Sequence, residues 1–228
     1  FGSVNISSDV THTFTIHNSD VTNALSISGA TITGSSDFSL VSPPASSVNM
    51  NGGTTTFQIK YTPSILGIVT ATVTIYSSDC DEDPYTFLIQ GEGTCIAPSF
   101  TTCPSNINRF TSANCDTIVN YSVVADGVPT PALTYEFTGA TIASGNGTGT
   151  GSTFNKGTTT VTIIAANLCN TATCTFDVIV SDNVFPQITC PANQNINNDV
   201  GLCSAVANFI DPIGTDNCSG QTTTQITG

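Results

Sequence analysis

Val69-Thr70-Ala71-Thr72-Val73-Thr74-Ile75 alternates apolar and polar side chains along its whole length. A strand turns successive side chains to opposite faces, so Val69, Ala71, Val73 and Ile75 line one apolar face and the threonines line the other. The same two-residue period runs through Phe14 and Ile16, set against Thr13 and Thr15. It returns in Phe57, Ile59 and Tyr61, and again in Tyr85, Phe87 and Ile89. Turn-forming residues separate these runs: His17-Asn18-Ser19-Asp20, Ser42-Pro43-Pro44, Asn51-Gly52-Gly53, Pro63 to Gly67 and Asp79 to Pro84. About seven short strands with one apolar face each predict two packed sheets, an immunoglobulin-like β-sandwich over residues 1–94.

The rest of the composition agrees with an all-β chain. Only 8% of the 228 residues are charged, against about 25% in an ordinary soluble protein. Thr, Ser, Asn and Gly take their place, residues that favour strands or turns over helices. Sixteen acids face three bases, Lys60, Arg109 and Lys156, for a formal charge of −13. With no basic patch, nucleic acid and anionic lipid are excluded as partners. The dispersed acids read as a solubilising surface, or as divalent-cation sites where they cluster. No apolar run approaches the roughly 18 residues of a membrane-spanning helix. Phe1-Gly2-Ser3-Val4 and Gln221-Thr222-Thr223-Thr224-Gln225-Ile226 both read as strand, so the polypeptide is expected to continue in each direction.

Beyond a short linker, Thr94 to Ser99, the chain repeats itself. Thr102-Cys103-Pro104-Ser105-Asn106 returns as Thr189-Cys190-Pro191-Ala192-Asn193, 87 residues on. Asn114-Cys115 followed by Val119-Asn120-Tyr121 returns as Leu202-Cys203 followed by Ala207-Asn208-Phe209. That period is the size of one small sandwich. The expected architecture is therefore tandem immunoglobulin-like sandwiches, over 1–94, over 99–182, and the beginning of a third over 186–228.

Two family resemblances attach to these residues. In the first module, Phe1-Gly2-Ser3-Val4, Thr13-Phe14-Thr15-Ile16-His17-Asn18, Asp37-Phe38, Tyr61-Thr62-Pro63-Ser64 with Gly67, and Asp79 to Gly91 resemble the choice-of-anchor D repeat, a bacterial relative of the ASPM–SPD-2–Hydin domain. In residues 99–228, three further stretches join the repeated motifs: Gly151 to Thr162, Thr171-Ala172-Thr173-Cys174-Thr175-Phe176-Asp177-Val178, and Thr215-Asp216-Asn217-Cys218-Ser219-Gly220. This pattern is similar to the hyalin repeat. The first copy departs from it, with Asp126-Gly127-Val128 where the family has a cysteine after an Asp-Asn pair, and an ion site is not carried over to that copy. The resemblances imply a non-enzymatic adhesive or structural segment of a long protein on the surface of a Bacteroidetes cell, of the gliding-adhesin kind exported by type IX secretion. Neighbouring repeats, extracellular polysaccharide or other cells are the partners they imply. The strands that would complete residues 186–228 are expected from further along the same chain, with a strand exchanged between subunits, and so self-assembly into fibres, as the alternative. The alternative is a set of carbohydrate- or partner-binding accessory modules on a secreted enzyme.

Nine cysteines in a polar chain point to an oxidising compartment. There is no Cys-x-x-Cys, and His12 and His17 lie far from every cysteine, so zinc is not expected. The expected pairs are Cys103–Cys115 and Cys190–Cys203, each closing a loop of about a dozen residues worth roughly 3 kcal/mol. In the hyalin family Cys174 pairs with the cysteine of the Asp-Asn-Cys motif; that cysteine being absent from the first copy, Cys169 is expected in its place. Cys218 is expected to pair beyond Gly228, and Cys80 upstream of Phe1 or with another chain. Cys95 is left unassigned.

Few residues offer chemistry. His12 and His17 flank one strand at an odd spacing, so they face opposite sides and cannot cooperate as catalytic bases. Gly145 to Gly151 is glycine-rich but lacks the Lys-Ser/Thr and the helix of a phosphate-binding loop, and reads as a flexible connection. Asp79, Asp81, Glu82 and Asp83 supply several carboxylates in one turn, a candidate Ca²⁺ site without the glycine and terminal glutamate of an EF-hand. Asp182 and Asp216, with Asp177, Asn183 and Asp211, are candidates for a second Ca²⁺ site at a module junction. No other cofactor is expected. Asp116-Thr117-Ile118 resembles the Bacteroidetes O-glycosylation acceptor, with Thr117 the modified residue.

Overall fold

In a computed structural model the chain is described over residues 1–224 and, among those residues, forms strands and no helix. It divides into two compact units. The first contains a complete sandwich. One sheet joins β1 (Ser3–Asn5), β8 (Tyr85–Thr94), β7 (Gly67–Ser77), β3 (Leu25–Gly34) and β5 (Ser47–Val48) in that order, and the other joins β2 (Val10–Asn18), β6 (Gly53–Tyr61) and β4 (Phe38–Ser42). β1 runs parallel to β8, with Ser3 opposite Glu92 and Asn5 opposite Thr94. The long pairs β7–β8, β3–β7 and β2–β6 are antiparallel.

The alternation places the core. Phe57, Ile59, Tyr61, Ala71, Val73, Ile75 and Ile89 are buried between the two sheets, and Phe14, Ile16, Val69 and Phe87 pack against them. Tyr85 departs from the expected pattern: it begins β8 at the rim and is half exposed.

Asp37, Phe38, Tyr61, Ser64 and Gly91, residues of the motifs quoted for the first module, form one interlocked group. Phe38 stacks on Tyr61 with ring centroids 4.7 Å apart. The Asp37 carboxylate accepts hydrogen bonds from Ser64 Oγ at 2.6 Å and from Ser64 N at 3.2 Å, while Asp37 O accepts one from Thr62 N at 2.8 Å. Gly91 lies under the Tyr61 ring, and a Cβ there would stand 2.5 Å from Tyr61 Cε1. Glycine inside a strand marks such a close approach.

Three further segments belong to the first unit: the stretch from Cys95 to Thr101, residues 125–132 and residues 165–172. Thr94 to Ser99 is not a linker. β9 (Ile96–Thr102) follows β8 with only Cys95 between them and pairs with β12 (Val124–Val128).

The second unit holds residues 102–124, 133–164 and those from Thr173 onward. Its main sheet follows the order β10 (Ile107–Phe110), β17 (Thr171–Ser181), β16 (Gly157–Ala166), β13 (Ala132–Gly139) and β14 (Ala143–Asn146). β11 (Asp116–Val119) and β15 (Ser152–Asn155) form an antiparallel pair. Val119, Phe137, Phe154, Val161, Ile163, Phe176, Val178 and Val180 are buried, and the Phe137 and Phe154 rings lie 4.9 Å apart.

Among the described residues from 185 onward, only β18 (Gln187–Ile188) and β19 (Gly214–Thr215) form strand, and Phe185, Val200, Ile210 and Ile213 are strongly exposed. The strand expected over 221–226 is not formed at Gln221 to Thr224; Gln225 and Ile226 lie outside the described residues.

Gly91→Val should lower stability by about 1–3 kcal/mol, because the stacked Tyr61 ring has no room to yield. Gly29→Ala, whose added Cβ would meet its nearest neighbour only at 3.9 Å, should change it by less than about 0.5 kcal/mol. Urea midpoints of the two variants test the contrast.

Candidate functional site

The cysteines combine differently from the expected pairs. The bonds are Cys95–Cys169, Cys103–Cys174 and Cys115–Cys218, with Cα atoms 5.9, 5.8 and 4.9 Å apart. The expected Cys103–Cys115 bond fails because extended chain separates the two residues. β10 runs parallel to β17, with Ile107 opposite Val178 and Phe110 opposite Ser181. Carried back four residues, that register sets Cys103 opposite Cys174. β10 (Ile107–Phe110) thus lies between Cys103 and Cys115, and Cys103 meets Cys174 across the sheet in place of Cys115.

Cys169–Cys174 fails because the two residues face different neighbours. Cys174 belongs to the inward face of β17, with Phe176, Val178 and Val180. Cys169 lies in the turn before β17, where Asn167 directs it to Cys95. Asn167 Nδ2 donates to Ile96 O at 2.8 Å and to Pro129 O at 2.9 Å, while its Oδ1 accepts from Cys169 N at 2.9 Å. One amide thus joins the turn to the backbone beside Cys95. Cys218 finds Cys115 within the chain, not a partner beyond Gly228. Cys190 and Cys203 are both free and exposed, in a stretch without strand, so the expected Cys190–Cys203 bond is not formed. Cys80 is also free and exposed.

Around Cys115–Cys218 the Asp216-Asn217-Cys218 motif clips onto the segment after β10. Asn217 Nδ2 donates to Ser112 O at 2.8 Å and to Thr111 Oγ1 at 3.4 Å. Thr111 Oγ1 donates in turn to Asp182 Oδ1 at 3.3 Å, and Lys156 Nζ stands 3.2 Å from Asp182 Oδ2. The Val184 N–H, also bound to Asp182 Oδ1, is the main cause holding the Asp182 carboxyl below its ordinary range, with Lys156 adding to it.

The candidate Ca²⁺ ligands are therefore already engaged or apart. Asp182 is held by Lys156, Thr111 and Val184, Asp177 Oδ1 accepts from Thr160 Oγ1, and Asp216 Oδ1 accepts from the Asn217 N–H. In the turn before β8, Asp83 Oδ1 accepts from Ser77 N at 2.9 Å, while a hydrogen bond to Asp81 raises the Asp79 carboxyl above its ordinary range. Glu82 lies in the same turn. Among the described residues, no three His, Cys, Asp or Glu side chains converge as metal ligands. His12 and His17 sit at the two ends of β2, opposite Ile59 and Thr54. Thr117 is half buried on β11, opposite Phe154.

The glycine-rich stretch from Gly145 to Gly151 is not a loose connection. Tyr121 Oη donates to Thr148 O at 2.8 Å, Thr150 Oγ1 bridges the Tyr121 backbone, and Gly151 N donates to Val119 O. Gly149 takes a positive φ of 71°, and a Cβ there would stand 2.6 Å from Phe137 Cζ. Burial, aided by Tyr135, pushes the Tyr121 phenol from its ordinary 10.0 up to about 12.

No family model and no curated protein matches the chain. Among solved structures it is similar to Sidekick-1 immunoglobulin domains 1–5, with 15% identity and a TM-score of 0.32 over 76% of this chain and 40% of that one. It is similar also to titin domains Z1Z2 in complex with telethonin, with 11% identity and a TM-score of 0.38 over 79% and 92%. Protocadherin gamma B7 extracellular cadherin domains 1–4 give 12% identity and a TM-score of 0.30 over 86% and 54%. The chain spans less than half of the Sidekick-1 structure. The all-β, immunoglobulin-like assignment stands on the strands, sheet orders and cores described above.

Asn167→Ala should cost about 1–3 kcal/mol, since two carbonyls and a turn N–H lose their partner. It should also hasten reduction of Cys95–Cys169 relative to Cys103–Cys174, measured by timed thiol labelling and peptide mapping. A second expectation concerns alkali. Between pH 10 and 12 the unfolded chain loses the Tyr121 proton while the folded chain keeps it. Stability is therefore full below that window and falls as pH rises through it. Tyr121→Phe should shrink the fall in urea midpoint between about pH 9 and about pH 11.

Proposed function

We propose that the chain is a structural and adhesive segment of a secreted cell-surface protein, a chain of sandwiches that spaces or displays a binding surface and performs no catalysis. The observation that carries this reading is the Cys115–Cys218 bond, which ties the Asp-Asn-Cys motif of one sequence repeat to the turn before β11 in the copy before it. A cross-link of that reach, 103 residues along the chain, suits a module whose task is to hold its shape in tandem. Three disulfides suit an oxidising exterior. The scarcity of cations and the Thr- and Asn-rich surface suit a stalk that resists non-specific association.

The parallel pairing of the edge strand β1 with β8 supports the same reading. β1 lies beside β8 with the same direction, so a pull on the two ends of that sandwich loads their hydrogen bonds along the strands. Ile6 N to Thr94 O at 2.8 Å, Glu92 N to Gly2 O at 2.9 Å and Thr94 Oγ1 to Asn5 Oδ1 at 3.0 Å would have to shear together.

The motifs of residues 1–94 and 99–228 support a choice-of-anchor D module followed by hyalin repeats on a bacterial surface protein, of the gliding-adhesin kind. Extracellular polysaccharide, other cells and neighbouring repeats are the partners of this proposal.

Antibody raised against the chain should label intact, unpermeabilised producing cells, and deleting its gene should reduce their attachment to surfaces several-fold. Labelling that appears only after permeabilisation would count against the reading, as would unchanged attachment.

A further inference from the structure

The six bonded cysteines fall in the order Cys95, Cys103, Cys115, Cys169, Cys174, Cys218, and each bond crosses the other two: first to fourth, second to fifth, third to sixth. We infer that this interlaced connectivity limits how far the stretch from Cys95 to Cys218 can lengthen under tension, so that its strands outside β9, β10 and the first residues of β17 are covalently sheltered from load. The inference rests on connectivity and stands whatever the stalk attaches to.

Consider a pull on the two ends of the chain. Tension follows the shortest covalent route. From Cys95 it passes to Cys103 along the backbone, or in parallel through Cys169 and Cys174, then along the backbone to Cys115, and there crosses directly to Cys218. That route contains about 20 residues and stretches to at most roughly 70 Å. Residues 116–168 and 175–217 hang from it as unloaded branches. They include the pairs β11–β15 and β13–β14 and the buried Phe137, Phe154 and Val161. Their hydrogen bonds and core are not asked to resist the pull.

The bonds are not equivalent. Losing Cys95–Cys169 or Cys103–Cys174 alone leaves the route unchanged, because Cys95 still reaches Cys115 along the backbone. Losing Cys115–Cys218 diverts the route through Cys95–Cys169 and the residues from Cys169 to Cys218, about 49 of them, which reach roughly 170 Å. Losing all three exposes about 123 residues, or roughly 430 Å.

Residues 1–94 contrast with this. Their one cysteine, Cys80, is free, so the first sandwich opens under force as an ordinary module. The device can also repeat. Cys203 occupies in the second copy the place of Cys115 in the first, and it is free and exposed. A further Asp-Asn-Cys motif could make the same tie there.

The test is single-molecule stretching of the whole chain, held at its ends, with Cys80, Cys190 and Cys203 alkylated under native conditions. The oxidised protein should give the step of the first sandwich and, from Cys95 to Cys218, no lengthening beyond the roughly 70 Å reach of the covalent route. A dithiol reductant, which donates two electrons and two protons to each disulfide and is itself oxidised, should add about 360 Å in the same molecules. The double variant Cys115→Ser, Cys218→Ser should add about 100 Å without reductant.

The inference is overturned if the oxidised chain already lengthens by the full amount, or if the double variant is no longer than the parent. Should the double variant not fold, the reductant comparison on the parent decides alone: no added length overturns the inference. Loss of attachment with these lengths intact would bear on the adhesive reading and leave the mechanical one standing.

Discussion

In each sandwich the strand by which the chain enters lies parallel to a strand by which it leaves. β1 pairs with β8 at an offset of 89 residues, and β10 pairs with β17 at an offset of 71. Parallel neighbours cannot be joined by a short turn; they need the intervening chain to cross over and return. Here the rest of the sandwich makes that crossing, so its fold and the pairing of its edges depend on each other. The register of β10 on β17 also decides the disulfides. It lays Cys103 beside Cys174, and it carries Phe110 to Ser181 and Thr111 into reach of Asp182 and Asn217, where Cys115 meets Cys218.

With 8% charged residues, the chain fastens its turns with amides and hydroxyls in place of ion pairs. Asn18 shows the pattern in the first sandwich. It is buried, donates to Asn23 O at 2.9 Å and to Val48 O at 3.1 Å, and accepts from Asp20 N at 3.1 Å. Asn167 does the same work beside Cys95–Cys169, as does Tyr121 for the glycine-rich loop. Amides suit this task because they both donate and accept, and because burying a neutral polar group with its partners satisfied costs little next to burying a charge. The Lys156–Asp182 pair departs from the pattern and sits at the clip around Asn217.

The motif residues gain a physical meaning in the structure. Asp37, Phe38, Tyr61, Ser64 and Gly91 are scattered over more than fifty positions of sequence, yet they form one packed group in which each residue type is required by its neighbour. The free, exposed Cys190 and Cys203 and the exposed Val200, Ile210 and Ile213 belong to a repeat whose equivalents of β10 and β11 have no partner strands among residues 186–224. Sheet pairing, more than local preference, makes those strands in the first copy.

The sequence by itself determined the all-β class, the inward faces of β2, β6 and β7, and the 87-residue repeat. These are local or periodic properties: a strand's side chains alternate whatever lies across from them, so Phe57, Ile59, Tyr61, Val73 and Ile75 declare their face without a partner. Only the tertiary structure decided the cysteine pairs, the pinned glycine-rich loop and the commitments of Asp177 and Asp182. Six cysteines allow fifteen pairings, and the choice among them turns on strand register and on one amide at Asn167. Spacing along the chain favoured near neighbours such as Cys103 and Cys115. The parallel pairing of β10, which lies between them, with β17 instead brings together residues about seventy positions distant.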